Sequence, residues 1–260
     1  FLTKILKMKI LISPAKSLDY KSALPTDENS SPVFLNEAAQ LNASLKTKSP
    51  SELQKLMHIS EKLADLNWER NQNFTTPFTA ENARPAVFAF NGDVYSGLNA
   101  YSLSENALGI AQKNLRILSG LYGVLKPLDL MQPYRLEMGT SFGLNGQNSL
   151  YAFWKEQLST HLKNELLPSE LVVNLASKEY ASAIDFDVLQ TPVLHPVFKD
   201  FKNGKFKIIS FFAKKARGLM TRHLLETNAQ SIDDVLSFTA DGYAFSEAET
   251  TDTTQPVFVR

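Results

Sequence analysis

The chain reads as a mixed α/β protein that folds as a single compact unit, and three observations carry that reading. Short runs rich in β-branched and aromatic residues, such as KILIS from Lys9, LVVNL from Leu171 and FKIISFF from Phe206, are interspersed with stretches of helical spacing. These strands and helices follow no regular βαβ beat and no repeat of roughly 20 to 50 residues, which argues against solenoids and propellers. No low-complexity linker divides the 260 residues, of which 43% are hydrophobic, so the chain can bury a substantial core.

Lysines 4, 7 and 9 interrupt the first apolar stretch, so neither a signal sequence nor a membrane span fits there. The unit is expected to start at Met8, with residues 1–7 as an upstream extension. No later stretch approaches the roughly 20 apolar residues of a membrane helix, which predicts a cytoplasmic protein without membrane partners. Lys9–Ser13 and Pro85–Phe90 read as short buried strands, and Val33–Lys46 as a helix. Ser49, Pro50 and Glu52 form a complete helix start: a cap, a proline at the first helical position and a capping-box acid. Leu150, Phe153, Trp154, Leu158, Leu162 and Leu166 recur at helical spacing opposite Lys155, Glu156 and Lys163. Leu171–Leu175, Val193–Phe201 and Phe206–Phe212 read as strands, and Ala213–Thr227 as a helix. The unit is expected to end near Phe245, leaving 246–260 as a poorly packed polar tail.

The chain contains no cysteine, which excludes thiolate nucleophiles, Fe–S clusters and Cys-ligated zinc. Its four histidines lack metal-ligand spacing, so no metal and no cofactor is expected. The 27 basic and 27 acidic residues balance overall but not locally. Lys199–Arg222 holds eight basic residues against Asp200, whereas Glu226–Arg260 holds seven acids against Arg260. A neutral chain can therefore carry a cationic cleft, although a solvated face would show the same pattern.

Several segments concentrate functional side chains. ISPAKSLDY sets Lys16 and Asp19 just after the first strand, and FNGDVYSGL holds Asp93 in a glycine-flanked turn that could equally be structural. From Lys113 to Thr140, a helix with Leu108, Ala111, Leu115 and Leu118 on one face is expected to end at Ser119-Gly120. It would turn through Leu121-Tyr122-Gly123 and restart at Val124 as a helix-hairpin-helix-like element. Such a turn offers backbone N–H groups to phosphate, with Lys113, Arg116 and Lys126 nearby; a plain glycine-terminated helix is the simpler alternative. Gln132, Arg135 and Glu137 alternate with Leu136 and Met138 as along a strand, and Arg135 suits a phosphate or carboxylate clamp. NLASKEY offers Lys178, Glu179 and Tyr180, either as an acid/base cluster or as a helix start capped by Ser177. AKKARGLM puts Lys214, Lys215 and Arg217 at the start of a helix, where cations oppose the helix dipole unless an anion is bound.

ISPAKSLDY, FNGDVYSGL, LRILSGLYGVLKPLDLMQPYRLEMGT, NLASKEY and FFAKKARGLM, in this order and spacing, resemble the YaaA family of bacterial peroxide stress-response proteins. The resemblance implies a compact α/β fold of unusual topology with a helix-hairpin-helix element and a positively charged cleft. It also implies binding to double-stranded and branched DNA, and a role in limiting peroxide damage by lowering free intracellular iron.

Two functions follow as expectations. In the first, Lys16, Lys113, Arg116, Gly120, Gly123, Lys126, Arg135, Lys178, Lys214, Lys215 and Arg217 bind the DNA backbone; about six neutralised phosphates would give a salt slope near −5. In the second, the same cleft is an enzyme site for a damaged nucleobase, a nucleotide or another anionic small molecule. Its acids would come from Asp19, Asp93, Asp129, Glu137, Glu179 and Tyr180, and its nucleophiles from Lys16, Lys178, Lys214 and Lys215.

Overall fold

The computed structural model describes residues 7–260. Its centre is a five-stranded sheet in the order Gly123–Leu125, Leu115–Ser119, Met8–Ile12, Leu171–Asn174, Val193–Leu194. The Met8–Ile12 strand runs parallel to both neighbours, with Ile10 opposite Leu115 and Met8 opposite Leu171. Only the Gly123–Leu125 edge is antiparallel. Ile10, Leu11 and Ile12 are all buried, on both faces of the sheet. That burial explains why these strands read as continuous apolar runs instead of alternating ones.

After the first strand the chain passes through the helices Leu35–Lys46, Pro50–Met57, Glu61–Asn73 and Glu105–Asn114 and returns on one side as Leu115–Ser119. It then crosses, by way of the 16-residue helix Leu150–Glu165, to the other side as Leu171–Asn174. The loops leaving the carboxyl ends of the strands therefore diverge at Met8–Ile12, which is the topological switch point where open α/β sheets open a crevice.

A second, four-stranded sheet has the order Lys205–Lys207, Val197–Lys202, Val257–Val259, Ala244–Phe245. Phe198, Phe238, Tyr243 and Phe258 pack beneath it, with the Phe198 ring centroid 5.5 to 6.0 Å from each of the others. The helix Ser210–Glu226 links this sheet to the rest by crossing the short helix Asp93–Leu98 at a glycine contact. A Cβ at Gly218 would lie 1.9 Å from the Val94 carbonyl oxygen, and one at Gly97 2.2 Å from that of Lys215. Only glycine at both positions lets the two backbones touch.

The helix start expected at Ser49 holds: its capping box forms, with Glu52 reaching back to the Ser49 N–H at 2.8 Å. The helix–hairpin–helix expected at 108–127 does not. The helix ends at Asn114, and Leu115–Ser119 continues as a fully buried strand paired to Gly123–Leu125. A short buried apolar run has the same residue content in a helix as in a strand, and here the pairing with Met8–Ile12 decides it. Gly120 and Gly123 are structural: a Cβ on Gly120 would meet the Leu136 carbonyl at 2.1 Å, and Gly123 sits at φ +67° against the Trp154 ring. A helix–tight turn–helix shape occurs instead at Pro50–Asn73, where His58 takes a left-handed φ of 51° and Ser60 caps the second helix.

Three further segments differ. Pro85–Phe90 is mostly one helical turn, Ala86–Ala89, and 132–138 is not a strand. Phe211 and Phe212 open the long helix instead of extending a strand. The supposed polar tail ends in Val257–Val259, an inner strand whose Phe258 is fully buried, because its ring packs against Phe198 and Phe238 in the aromatic core. Residues 1–6 of the expected extension lie outside the described residues, while Lys7 already accepts the Leu171 N–H at 2.8 Å. Among the described residues no helix is long and apolar enough to cross a membrane.

Candidate functional site

A cleft of about 360 Å³ opens beyond the carboxyl ends of Met8–Ile12 and Leu171–Asn174. Its floor is the loop 13–17 that leaves the first strand, tied to the loop leaving the Leu171–Asn174 strand: the Ser177 N–H donates to Ser13 Oγ at 2.8 Å. The Tyr95 hydroxyl donates to the Ser13 carbonyl at 3.0 Å and fixes the Asp93–Leu98 helix above the same loop. Gly92 lets that helix start close by, since a Cβ there would stand 3.0 Å from Ala15 Cβ. The glycine crossing of Gly97 with Gly218 then brings Lys214 and Arg217 to the facing wall.

Four cations and three carboxylates converge here. Lys16, Lys214 and Arg217 share the cleft with Asp93, Glu137 and Glu179, and Arg135 lines a narrow side arm with Lys16. Glu137 accepts from Arg135 Nε at 3.1 Å and lies 3.4 Å from Lys16 Nζ, so it binds two of the cations. Glu179 caps the 137–140 turn by accepting the Gly139 N–H at 3.0 Å. Lys214 and Arg217 form no ion pair among the described residues, and neither does Asp93. Arg217 is half-buried, and removal from water holds its guanidinium below the usual range. A cation kept from water without a partner is the condition in which an incoming anion is bound most firmly.

The buried tyrosines have a different role. Burial pushes the Tyr180 phenol far above its ordinary range, helped by Tyr134, Glu179 and Glu137, and burial does the same to Tyr95. Both stay protonated at neutral pH, so they can donate hydrogen bonds but not act as bases.

The sequence-predicted residues separate into two groups. Lys16, Asp93, Arg135, Glu137, Glu179, Tyr180, Lys214 and Arg217 meet at the cleft. The others do not. Arg116 is buried and paired in a fork with Glu165, at 2.7 and 3.1 Å, and Lys126 approaches the same carboxylate at 3.9 Å. Burial works to raise Glu165, but the hydrogen bonds from His161 and Arg116 outweigh it and hold the carboxyl at about 2. Lys113 lines a separate shallow depression with Glu105, and Lys215 faces Asp241 at 3.5 Å. Lys178 is exposed at the start of a four-residue helix, outside the cleft. Asp19 accepts the N–H groups of Lys21 and Ser22, and Asp129 is buried beneath Ser30 and the Lys126 N–H. Both are turn braces. Ser13, Tyr95 and Ser177 belong to the site but are not among the predicted residues; Ser13 directly follows its strand and Ser177 stands three positions after the end of the other, too loose a pattern to mark them. Among the described residues no three His, Asp or Glu side chains converge as metal ligands.

The chain's likenesses point one way. The family model described as peroxide stress protein YaaA matches residues 8–249. A UPF0246 protein of Flavobacterium johnsoniae is 58% identical over 238 residues, covering 92% of this chain and 94% of its own length. UPF0246 proteins of Aliivibrio fischeri and Saccharophagus degradans are 51% and 50% identical, covering 95% and 97% of this chain and 96% and 99% of their own lengths.

Proposed function

The chain belongs to the peroxide stress protein YaaA family, and from that premise we propose that it acts in peroxide stress by binding DNA, with a backbone phosphate seated between Lys214 and Arg217. The observation that carries this reading is the unpaired, half-buried Arg217 in a cleft at the switch point. Two features support a longer anion. Arg135 extends the cationic wall from Lys16, and Arg70 lies near enough to Arg135 for their charges to oppose each other. A second contact, at the turn His58–Ser60 between two helices, is supported by the exposed Lys62, which forms no ion pair among the described residues.

The number of available cations sets the salt dependence. Lys214 and Arg217 are unpaired, and Lys16 and Arg135 join them by exchanging Glu137 for phosphate, which makes four, so log affinity should fall against log salt with a slope of about −3.5, shallower than the full set of sequence-predicted residues implies. Fluorescence anisotropy on duplex and four-way-junction DNA across a salt series tests this. The Lys214→Ala/Arg217→Ala variant should reduce the slope by about two. A salt-independent titration would overturn the reading. Lower free iron is then an indirect result of the DNA-bound state, a reading supported by the scattered histidines. Ferrous ion bound tightly and stoichiometrically in calorimetry would contradict it.

Asp93 supports a second reading, in which the cleft is an enzyme site for a nucleobase, nucleotide or other anionic small molecule. It lines the cleft with no partner among the described residues, so its carboxylate is free to accept a proton from a bound substrate. Asp93→Asn should abolish turnover of damaged-base oligonucleotides while leaving DNA affinity within about twofold.

A further inference from the structure

The basic run after Lys199 is only partly used by the cleft, and its remainder forms a hairpin of unusual composition. Val197–Lys202 and Lys205–Lys207 pair antiparallel through a two-residue turn, Asn203-Gly204, with φ of 54° and 77°. Positive φ at both turn positions matches the strand twist and makes a stiff ribbon. Side chains alternate across it. One face carries the cross-strand pair Phe201 and Phe206, ring centroids 5.3 Å apart, followed by Ile208. Phe201 and Ile208 are each 61% exposed. The other face carries Lys202 directly opposite Lys205, and Lys207 opposite Asp200.

This arrangement works against folding. Facing like charges destabilise a strand pair, and exposed rings gain nothing from burial. No acid offsets the lysines, because Asp200 is taken by Tyr243 at 2.7 Å and Arg260 at 2.8 Å. Lys202, Lys205 and Lys207 form no ion pair among the described residues. Asp200 instead anchors the cationic face to the core, so the ribbon is rigidly mounted. Phe211, 58% exposed, stands one turn before Lys214 on the long helix.

We infer that the Val197–Lys207 ribbon is a binding platform for unpaired nucleic-acid bases, its apolar face stacking on a base and its lysine face holding the backbone. An exposed aromatic ring and unpaired lysines on the two faces of one narrow ribbon supply the stacking surface and the backbone charge that single-stranded recognition combines. The tip is Lys202-Asn203-Gly204-Lys205, so charge leads and rings follow, the reverse of a hairpin that enters a lipid surface. The inference rests on the DNA-binding reading and deepens it: duplex on the cleft side, unpaired strand on the ribbon, hence a preference for forks and junctions.

The test uses the full chain and a forked duplex with 2-aminopurine at the first unpaired position, beside plain duplex and anionic phospholipid vesicles. Phe201→Ser/Ile208→Ser should weaken fork binding roughly tenfold with an unchanged salt slope, and should remove the 2-aminopurine fluorescence change. Its duplex affinity should stay within about twofold. Lys202→Gln/Lys205→Gln should reduce the salt slope on the fork by about 1.4, the value for two contacts to a single strand. Fork binding unaffected by either ribbon variant and lost only in Lys214→Ala/Arg217→Ala would overturn the platform and keep the cleft. The opposite pattern would keep the platform and overturn the cleft. Vesicle binding lost with Phe201→Ser/Ile208→Ser would reassign the ribbon to membranes, and a wild-type protein that binds neither DNA overturns both readings.

Discussion

Two basic clusters of this protein are almost equivalent on paper and opposite in the fold. Arg116 and Lys126 gather around Glu165, which both Arg116 and His161 also hold by hydrogen bonds. Lys214 and Arg217, with Lys16, gather around a void. The first cluster is satisfied and fixes the Leu150–Glu165 helix to the Leu115–Ser119 strand. The second leaves Lys214 and Arg217 unpaired at the switch point of the sheet. The two clusters differ in whether the fold supplies a counter-charge: Arg116 and Lys126 share Glu165, whereas Lys214 and Arg217 have none among the described residues.

The largest expected contrast comes from removing one member of the paired cluster. Arg116→Ala leaves Glu165 partly buried without its fork partner and should cost about 3 kcal/mol of unfolding free energy, with the salt slope of DNA binding unchanged. Urea denaturation beside the salt series checks both halves; an unchanged stability would place Arg116 with the binding cations after all. Gly218→Ala attacks the support of the other cluster. Its Cβ meets backbone at 1.9 Å, so the two helices must separate, at about 2 kcal/mol or more, and DNA affinity should fall although no cation is removed.

Acid sharpens the same comparison. Glu165 has a folded pKa of about 2, below the ordinary 4.5 of an unfolded glutamate. Its stabilising contribution, on the order of 2 kcal/mol, is therefore present above about pH 4.5 and is lost as pH falls toward 2. Arg116→Ala should flatten that part of the stability profile, and Lys214→Ala/Arg217→Ala should not. The smallest stability effect belongs to the cleft: Lys214→Ala/Arg217→Ala should change unfolding free energy by no more than about 1 kcal/mol, the packing of the half-buried Arg217 stem, since neither cation has an ion-pair partner to lose. A marked destabilisation would mean that the cleft cations hold the fold together.

Local signals that act over three or four residues were legible in the chain. Ser49-Pro50-Glu52 specified a helix start that forms as read, and the Leu150–Leu166 stripe specified a core helix, because caps and amphipathic stripes depend on near neighbours. The Leu115–Ser119 run was not legible, since its strand state depends on pairing with residues about a hundred positions away. The tail was misread for a related reason. Its Ser/Thr-rich segment hides a strand whose value lies in the aromatic core it completes.

The sequence by itself determined the mixed α/β class, the order of the motifs and the family they mark, along with the residue types at the cleft: Lys16, Asp93, Glu137, Glu179, Lys214 and Arg217. Tertiary structure alone decided which cations are paired, because pairing depends on distances between segments that share no local signal. Arg116 and Arg217 are the same residue in similarly basic surroundings. One meets a carboxylate 2.7 Å away and becomes part of the framework, and the other lines the cleft and pairs with no carboxylate among the described residues.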